Sequence, residues 1–307
     1  MPAPCRLSTG MERFFYAMRT GSGRMRRRLW KAGMAIMLAV CPVMTARTAA
    51  PTAAPTASQA AETLVFSSSS GRKQSLSAAG LLARSDAQWV TVQDGSYGAT
   101  RRYRAVSLAA LLGKEADDSG VLTATASDGF SADLPLQMIR AASQDASQPQ
   151  PWLGVEDPQH PWPPLPGKKA SAGPFYIIWS GAGAEHVPSE YWPYRITHLT
   201  IRTAPLERWP QLALSPDAPA RIKQGRKAFI AFCLPCHRLN GAGDGSVGPD
   251  LGKPMNPTAY FQRPALHRYI RDPASVRDWP GRQMPGFNTK TLPDEMIEAI
   301  IDYMEGL

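Results

Sequence analysis

The sequence predicts a multidomain protein: an N-terminal α+β domain, mostly β, followed by a small all-α domain. Three observations predict it. Short β-like runs bounded by turn residues fill residues 63–204. A proline-rich break follows, with Pro205, Pro210, Pro216 and Pro219. After it the apolar spacing becomes helical. The 307 residues leave room for about two domains.

A separate segment precedes both domains. Arg24, Arg26, Arg27, Arg28 and Lys31 form a positive run, an apolar stretch extends from Ala32 to Met44, and small residues continue to Ala50. This is the layout of a secretory signal, with a cut near Ala46 or Ala50. Residues 1–50 are therefore read as a leader, residues 51–62 as a linker, and the mature protein as exported to the periplasm. The apolar stretch falls short of the about 20 residues that a membrane helix needs. An uncleaved anchor is the alternative, and the one membrane attachment the sequence offers. The leader also accounts for the charge. The 34 Lys and Arg and 25 Asp and Glu of the chain become 25 and 24 once residues 1–50 are set aside. So balanced a body gives no basic field for nucleic acid.

The elements follow in order. Thr63–Phe66 and Gln88–Val92 read as strands, and Ser107–Leu112 as a short helix. Val121–Ala126 and Phe130–Leu134 flank Asp128-Gly129, a hairpin turn signal. Residues 148–169, crowded with Pro and Trp, read as a long ordered loop, with Trp152 and Trp162 as a lid or an interaction surface. Phe175–Trp179 and Arg195–Arg202 are strands. Residues 205–216 read as a second linker. In residues 217–307, Ile222, Phe229 and Phe232 share one face of a helix running into Cys233. Leu266–Arg271 is a short helix, and Thr291-Leu292-Pro293-Asp294 matches a capping box before a last helix carrying Met296, Ile300 and Tyr303.

Cysteine usage points to the chemistry. Of the four cysteines, Cys5 and Cys41 fall in the leader, so the mature chain keeps Cys233 and Cys236. They stand in Cys233-Leu234-Pro235-Cys236-His237, the spacing of c-type haem attachment. Two thiols must reach two vinyl groups on one porphyrin edge, and one helical turn presents both. The adjacent His237 then supplies an imidazole to the iron. A redox dithiol would sit in a βαβ pattern, which is missing. A zinc site would need more Cys or His nearby, and only His267 is close. For the sixth iron position the candidate is Met284, in Gly281-Arg282-Gln283-Met284-Pro285-Gly286-Phe287. His with Met raises the reduction potential, which suits electron transfer. Met255 is a rival without that context. A carbonyl near Pro249, in Gly248-Pro249-Asp250-Leu251, is placed to accept the Nδ1 hydrogen of His237.

With these residues in view, 217–307 resembles a class I cytochrome c domain. The resemblance is carried by Cys233, Cys236, His237, Pro249 and Met284, with Phe229 and Tyr303 on the packed first and last helices. It implies one covalent haem c with an exposed edge, ligated by His237 and Met284, and redox partner proteins. Residues 63–204 look like the molybdopterin-binding fold of sulfite oxidase-type enzymes. That likeness rests on Tyr103-Arg104-Ala105-Val106-Ser107-Leu108, Ser127-Asp128-Gly129-Phe130, Gly173-Pro174-Phe175-Tyr176-Ile177-Ile178-Trp179 and Trp192-Pro193-Tyr194-Arg195-Ile196. Such enzymes hold molybdenum through a cysteine, and none lies between Cys41 and Cys233. The domain is therefore read as a degenerate, non-catalytic relative. His160, His186 and His198 lack a metal spacing, and Arg101, Arg102 and Arg104 read as a solvated strand edge, with anion binding as the alternative. The expected function is single-electron transfer, as a carrier or as a subunit of a dehydrogenase chain. The alternatives are molybdenum or open-site haem catalysis, and a haem-based redox sensor.

Overall fold

The computed structural model describes residues 63–113 and 119–307. The leader read at 1–50 and the linker read at 51–62 lie outside the described residues. Nine strands are described: Thr63–Ser67 (β1), Lys73–Ser77 (β2), Gln88–Asp94 (β3), Ala99–Ser107 (β4), Val121–Ala126 (β5), Ser131–Pro135 (β6), Gln150–Val155 (β7), Phe175–Ser180 (β8) and Ile196–Arg202 (β9). They form a five-stranded sheet, β2-β1-β9-β5-β6, and a four-stranded sheet, β3-β4-β7-β8. Only β1 and β9 pair in parallel; the rest are antiparallel.

Alternation explains most of the strands. Leu64 and Phe66 of β1 point inward, as do Val90 and Val92 of β3. The β5–β6 hairpin forms across Asp128-Gly129, with Gly129 at φ +91° and Asp128 accepting from the Phe130 N–H at 3.1 Å. Three helices cover the sheet ends: Ala78–Leu82 (α1), Leu108–Leu112 (α2) and Leu136–Gln144 (α3). Ser77 and Ser107 cap the first two, as N-cap serines do. The main core lies between the sheets and unites Leu64, Leu122, Leu134, Leu153, Phe175, Ile177 and Trp179. A second cluster covers the other face of the four-stranded sheet, with Tyr103, Tyr176 and Ile178. Strand β8 is thus buried on both faces, which its unbroken apolar run FYIIW requires.

The segment 148–169 departs from the loop expected of it. Its first third is β7, an interior strand between β4 and β8. Pro151 masked the strand signal. It is tolerated because only Trp152, Leu153 and Gly154 pair with β4. The remainder is a lid: Trp162 stacks edge-on against Tyr103 at 4.7 Å. Arg101, Arg102 and Arg104 lie on β4, with Arg101 over the Tyr97 ring and Arg102 over the Trp89 ring.

Residues 205–216, read as a linker, are ordered. They form Pro205–Arg208 (α4) and a 3₁₀ turn over Pro210–Leu212, and Leu212 is buried in the C-terminal core. Four helices follow: Ala220–Phe232 (α5), Arg263–Arg271 (α6), Pro273–Val276 (α7) and Asp294–Glu305 (α8). Helices α5 and α8 cross at Gly225, where any Cβ would stand 1.9 Å from the Ala299 carbonyl oxygen. Phe229 meets Tyr303 edge-to-face at 5.5 Å, one turn along. The capping box does not form. Pro293 is the N-cap of α8 without a side-chain bond, Thr291 turns to the Asn288 amide oxygen, and Asp294 pairs with Arg271 at 2.6 Å. Among the described residues, no helix is long and apolar enough to cross a membrane.

Candidate functional site

Helix α5 hands its end directly to the cysteine motif. The Cys233 N–H bonds the Phe229 carbonyl at 2.9 Å, and the His237 N–H bonds the Cys233 carbonyl at 2.9 Å. The chain therefore winds one further turn across 233–237, and both thiols leave one end of one helix. Neither is in a disulfide. Burial pushes both thiols up, aided by the carboxylate of Glu190, and Cys236 is raised to about 12. The thiols are therefore protonated near neutral pH, unlike the low-pKa thiolate of a redox dithiol.

The loop after the motif fixes the imidazole. His237 Nδ1 lies 2.8 Å from the Pro249 carbonyl oxygen, which leaves Nε2 as the ring nitrogen available to a metal. Burial lowers the His237 pKa, while the Pro249 contact opposes that shift. The neutral ring that a metal requires is thus the favoured form. Gly248 lies flat against the ring: a Cβ there would stand 2.3 Å from Cε1. Its N–H bonds the Cys236 carbonyl at 2.8 Å. Gly245 crosses the backbone of 234–236, where a Cβ would meet the Leu234 oxygen at 2.6 Å. Asp250 closes the loop by accepting from the N–H groups of Asn240, Gly241 and Gly252.

Met284 is half-buried and packs against the C-terminal core with Phe287, Phe232 and Leu234. Arg271 anchors its loop. The Phe287 N–H bonds the Arg271 carbonyl at 3.0 Å, and the Arg271 guanidinium bonds the Phe287 carbonyl at 2.5 Å. Arg282 donates to the Met284 carbonyl at 2.7 Å. Phe232 and Phe287 meet edge-to-face at 5.8 Å, which joins this loop to the helix before the cysteines. Met255 is exposed, and His267 sits beside Asp294 and Glu298. The free thiols and the oriented imidazole would hold a c-type haem and the Met284 thioether offers a further donor, so the residues present fit that group.

The N-terminal domain meets the attachment turn itself, a contact that no local sequence pattern signals. The Ser131 N–H bonds the Pro235 carbonyl at 2.9 Å, and the Ser246 N–H bonds the Gly129 carbonyl at 3.2 Å. Arg208 reaches Asp133 on one side and Asp244, at 2.8 Å, on the other, and Arg202 also reaches Asp244, at 2.9 Å. Glu190 is buried in a turn that packs against α5 and β6. His160, His186 and His198 are spread over the N-terminal domain. Among the described residues, no group of three or more His, Cys, Asp and Glu is arranged to hold a metal ion.

No curated protein matches the chain. Residues 222–307 match the family model described as cytochrome c, slightly inside the 217–307 read from the sequence. The C-terminal helices are thus a cytochrome c domain that carries covalently bound haem c and serves haem-based electron transfer with redox partner proteins.

Proposed function

We propose that the protein is an exported, periplasmic single-electron carrier, acting as a subunit of a dehydrogenase electron chain. In this reading Cys233 and Cys236 would carry the haem covalently, and His237 and Met284 would hold its iron. The observation that carries it is the fixed imidazole: Nδ1 on the Pro249 carbonyl, with Gly248 flat on the ring. The tethered Met284 loop supports the second ligand. A sulphur ligand closes the iron to substrates and favours the ferrous state, which suits a carrier over a catalyst. The spectrum of the ferric holoprotein tests it. The native protein is expected to show the weak methionine-to-iron charge-transfer band. Met284→Ala is expected to keep its haem, lose the band and have a lower midpoint potential. Persistence of the band in the variant excludes Met284.

The N-terminal domain is proposed to be a non-catalytic relative of the molybdopterin-binding fold of sulfite oxidase-type enzymes. Two sheets around one core support the likeness, and the missing cysteine supports the loss of catalysis. Metal analysis of the purified protein tests this: stoichiometric molybdenum overturns it.

A further inference from the structure

We propose that Glu190 of the N-terminal domain takes up a proton when the haem is reduced, making the neighbouring domain a part of the electron-transfer site. This rests on the haem reading above and adds to it a residue outside the cytochrome c domain. Glu190 lies in the 3₁₀ turn Ser189–Tyr191 and is only 6% exposed. Its partner is the Ser189 hydroxyl, which donates to it at 2.9 Å, and no described basic side chain pairs with it. The turn packs against helix α5, which ends at Cys233, and the Glu190 carboxylate acts on both the Cys233 and the Cys236 thiol.

The groups around it leave its charge uncompensated. From the attachment turn it faces Cys233 and Cys236, which become neutral thioethers. Tyr191 is its neighbour in the turn, and burial holds that phenol protonated. From the β5–β6 hairpin come Asp128, which also acts on Cys236, and Asp133, which also acts on Tyr191. The cation near Asp133 is Arg208, already shared with Asp244. Helix α5 presents Ala231 to the N-terminal core. Burial raises the Glu190 carboxyl to about 7, so a small change in nearby charge alters its protonation near neutral pH.

Reduction is such a change. With haem bound, one electron from a one-electron donor protein would reduce it and would remove one positive charge beside Glu190. The Glu190 carboxylate then binds one proton from solvent, and no other bond forms or breaks. Coupling between two sites is reciprocal, so the proton on Glu190 must in turn favour the reduced haem.

Redox titration of the full-length holoprotein by its absorption spectrum, from about pH 5.5 to 8.5, tests this. In the native protein the reduced-to-oxidised ratio at a fixed potential is expected to fall by about fivefold or more as pH rises through that range. In Glu190→Gln the ratio is expected to stay nearly constant. A pH dependence unchanged in Glu190→Gln assigns the proton to another group and overturns the proposal. Ser189→Ala provides a second test that keeps the carboxyl. Loss of the donated hydrogen bond is expected to move the break to higher pH, and an unmoved break overturns the proposal. Haem content measured on the same samples separates the two readings: absence of haem defeats the cytochrome reading, while haem without a Glu190-dependent response defeats this proposal alone.

Discussion

At the scale of single residues, the site is held by groups that burial forces into one protonation state, and Glu190 is the exception. Its folded value of about 7 lies above the ordinary value of 4.5 that it regains on unfolding. The folded protein therefore binds this proton more tightly than the unfolded chain does. The stability this contributes is fully present below about pH 4.5 and is lost as pH rises through about 7, a change of at most ~3 kcal/mol. Glu190→Gln keeps a neutral side chain of the same shape at every pH. Denaturant unfolding of the ferric protein is expected to give similar stabilities for the two forms near pH 5. By pH 8 the variant is expected to be the more stable by about 1–3 kcal/mol. Equal stability at both pH values would show that Glu190 is ionised in water-like surroundings.

At the scale of elements, the first and last helices of the cytochrome c domain depend on one close approach. Gly225→Ala would bring a methyl group to 1.9 Å from the Ala299 carbonyl, which neither backbone can yield without separating α5 from α8. In an isolated helix the change would stabilise by about 1 kcal/mol. Here overpacking outweighs it, and a net loss of about 1–3 kcal/mol is expected, read as a lower Tm followed through the haem absorption. Gly225 illustrates where the sequence was legible and where it was silent. The cysteine motif, the Met284 loop and the Asp128-Gly129 hairpin could be read because each is written in contiguous residues. Gly225, Gly248 and Glu190 matter through neighbours 74, 11 and 43 residues away, at Ala299 and His237 in the first two cases and Cys233 in the third. No local pattern records such distances. Strand β7 was missed for the opposite reason, since Pro151 signals a loop and tertiary pairing overrode it. Thr291 does not cap α8 because Pro293 occupies the N-cap position itself.

At the scale of the whole molecule, the domain contact is polar and centred on Arg208, in a segment whose prolines suggested only a linker. Arg208 is 14% exposed and Asp133 10% exposed, so their ion pair is largely out of water. Burial pushes the Asp133 carboxyl above its ordinary value even with the guanidinium beside it, so desolvation dominates its energetics. The Thr123 hydroxyl donates to Asp133 at 2.6 Å, and Arg208 stacks on Trp209 at 4.0 Å, so the pair is fixed from both domains. A buried pair contributes little over an apolar replacement, but breaking it strands a charge. Arg208→Met is therefore expected to cost about 3–5 kcal/mol, and adding Asp133→Asn is expected to recover part of that loss. Two probes report on the two domains: haem absorption for residues 222–307, and, in a background with Trp209 and Trp279 replaced by Phe, fluorescence of Trp89, Trp152, Trp162, Trp179 and Trp192 for the N-terminal domain. In the native protein their thermal transitions are expected to coincide, because the hairpin, the ion pairs and Ala231 tie the two cores together. In Arg208→Met they are expected to separate. Coincident transitions with an unchanged midpoint would show that the backbone bonds at Pro235 and Gly129 hold the domains together without Arg208.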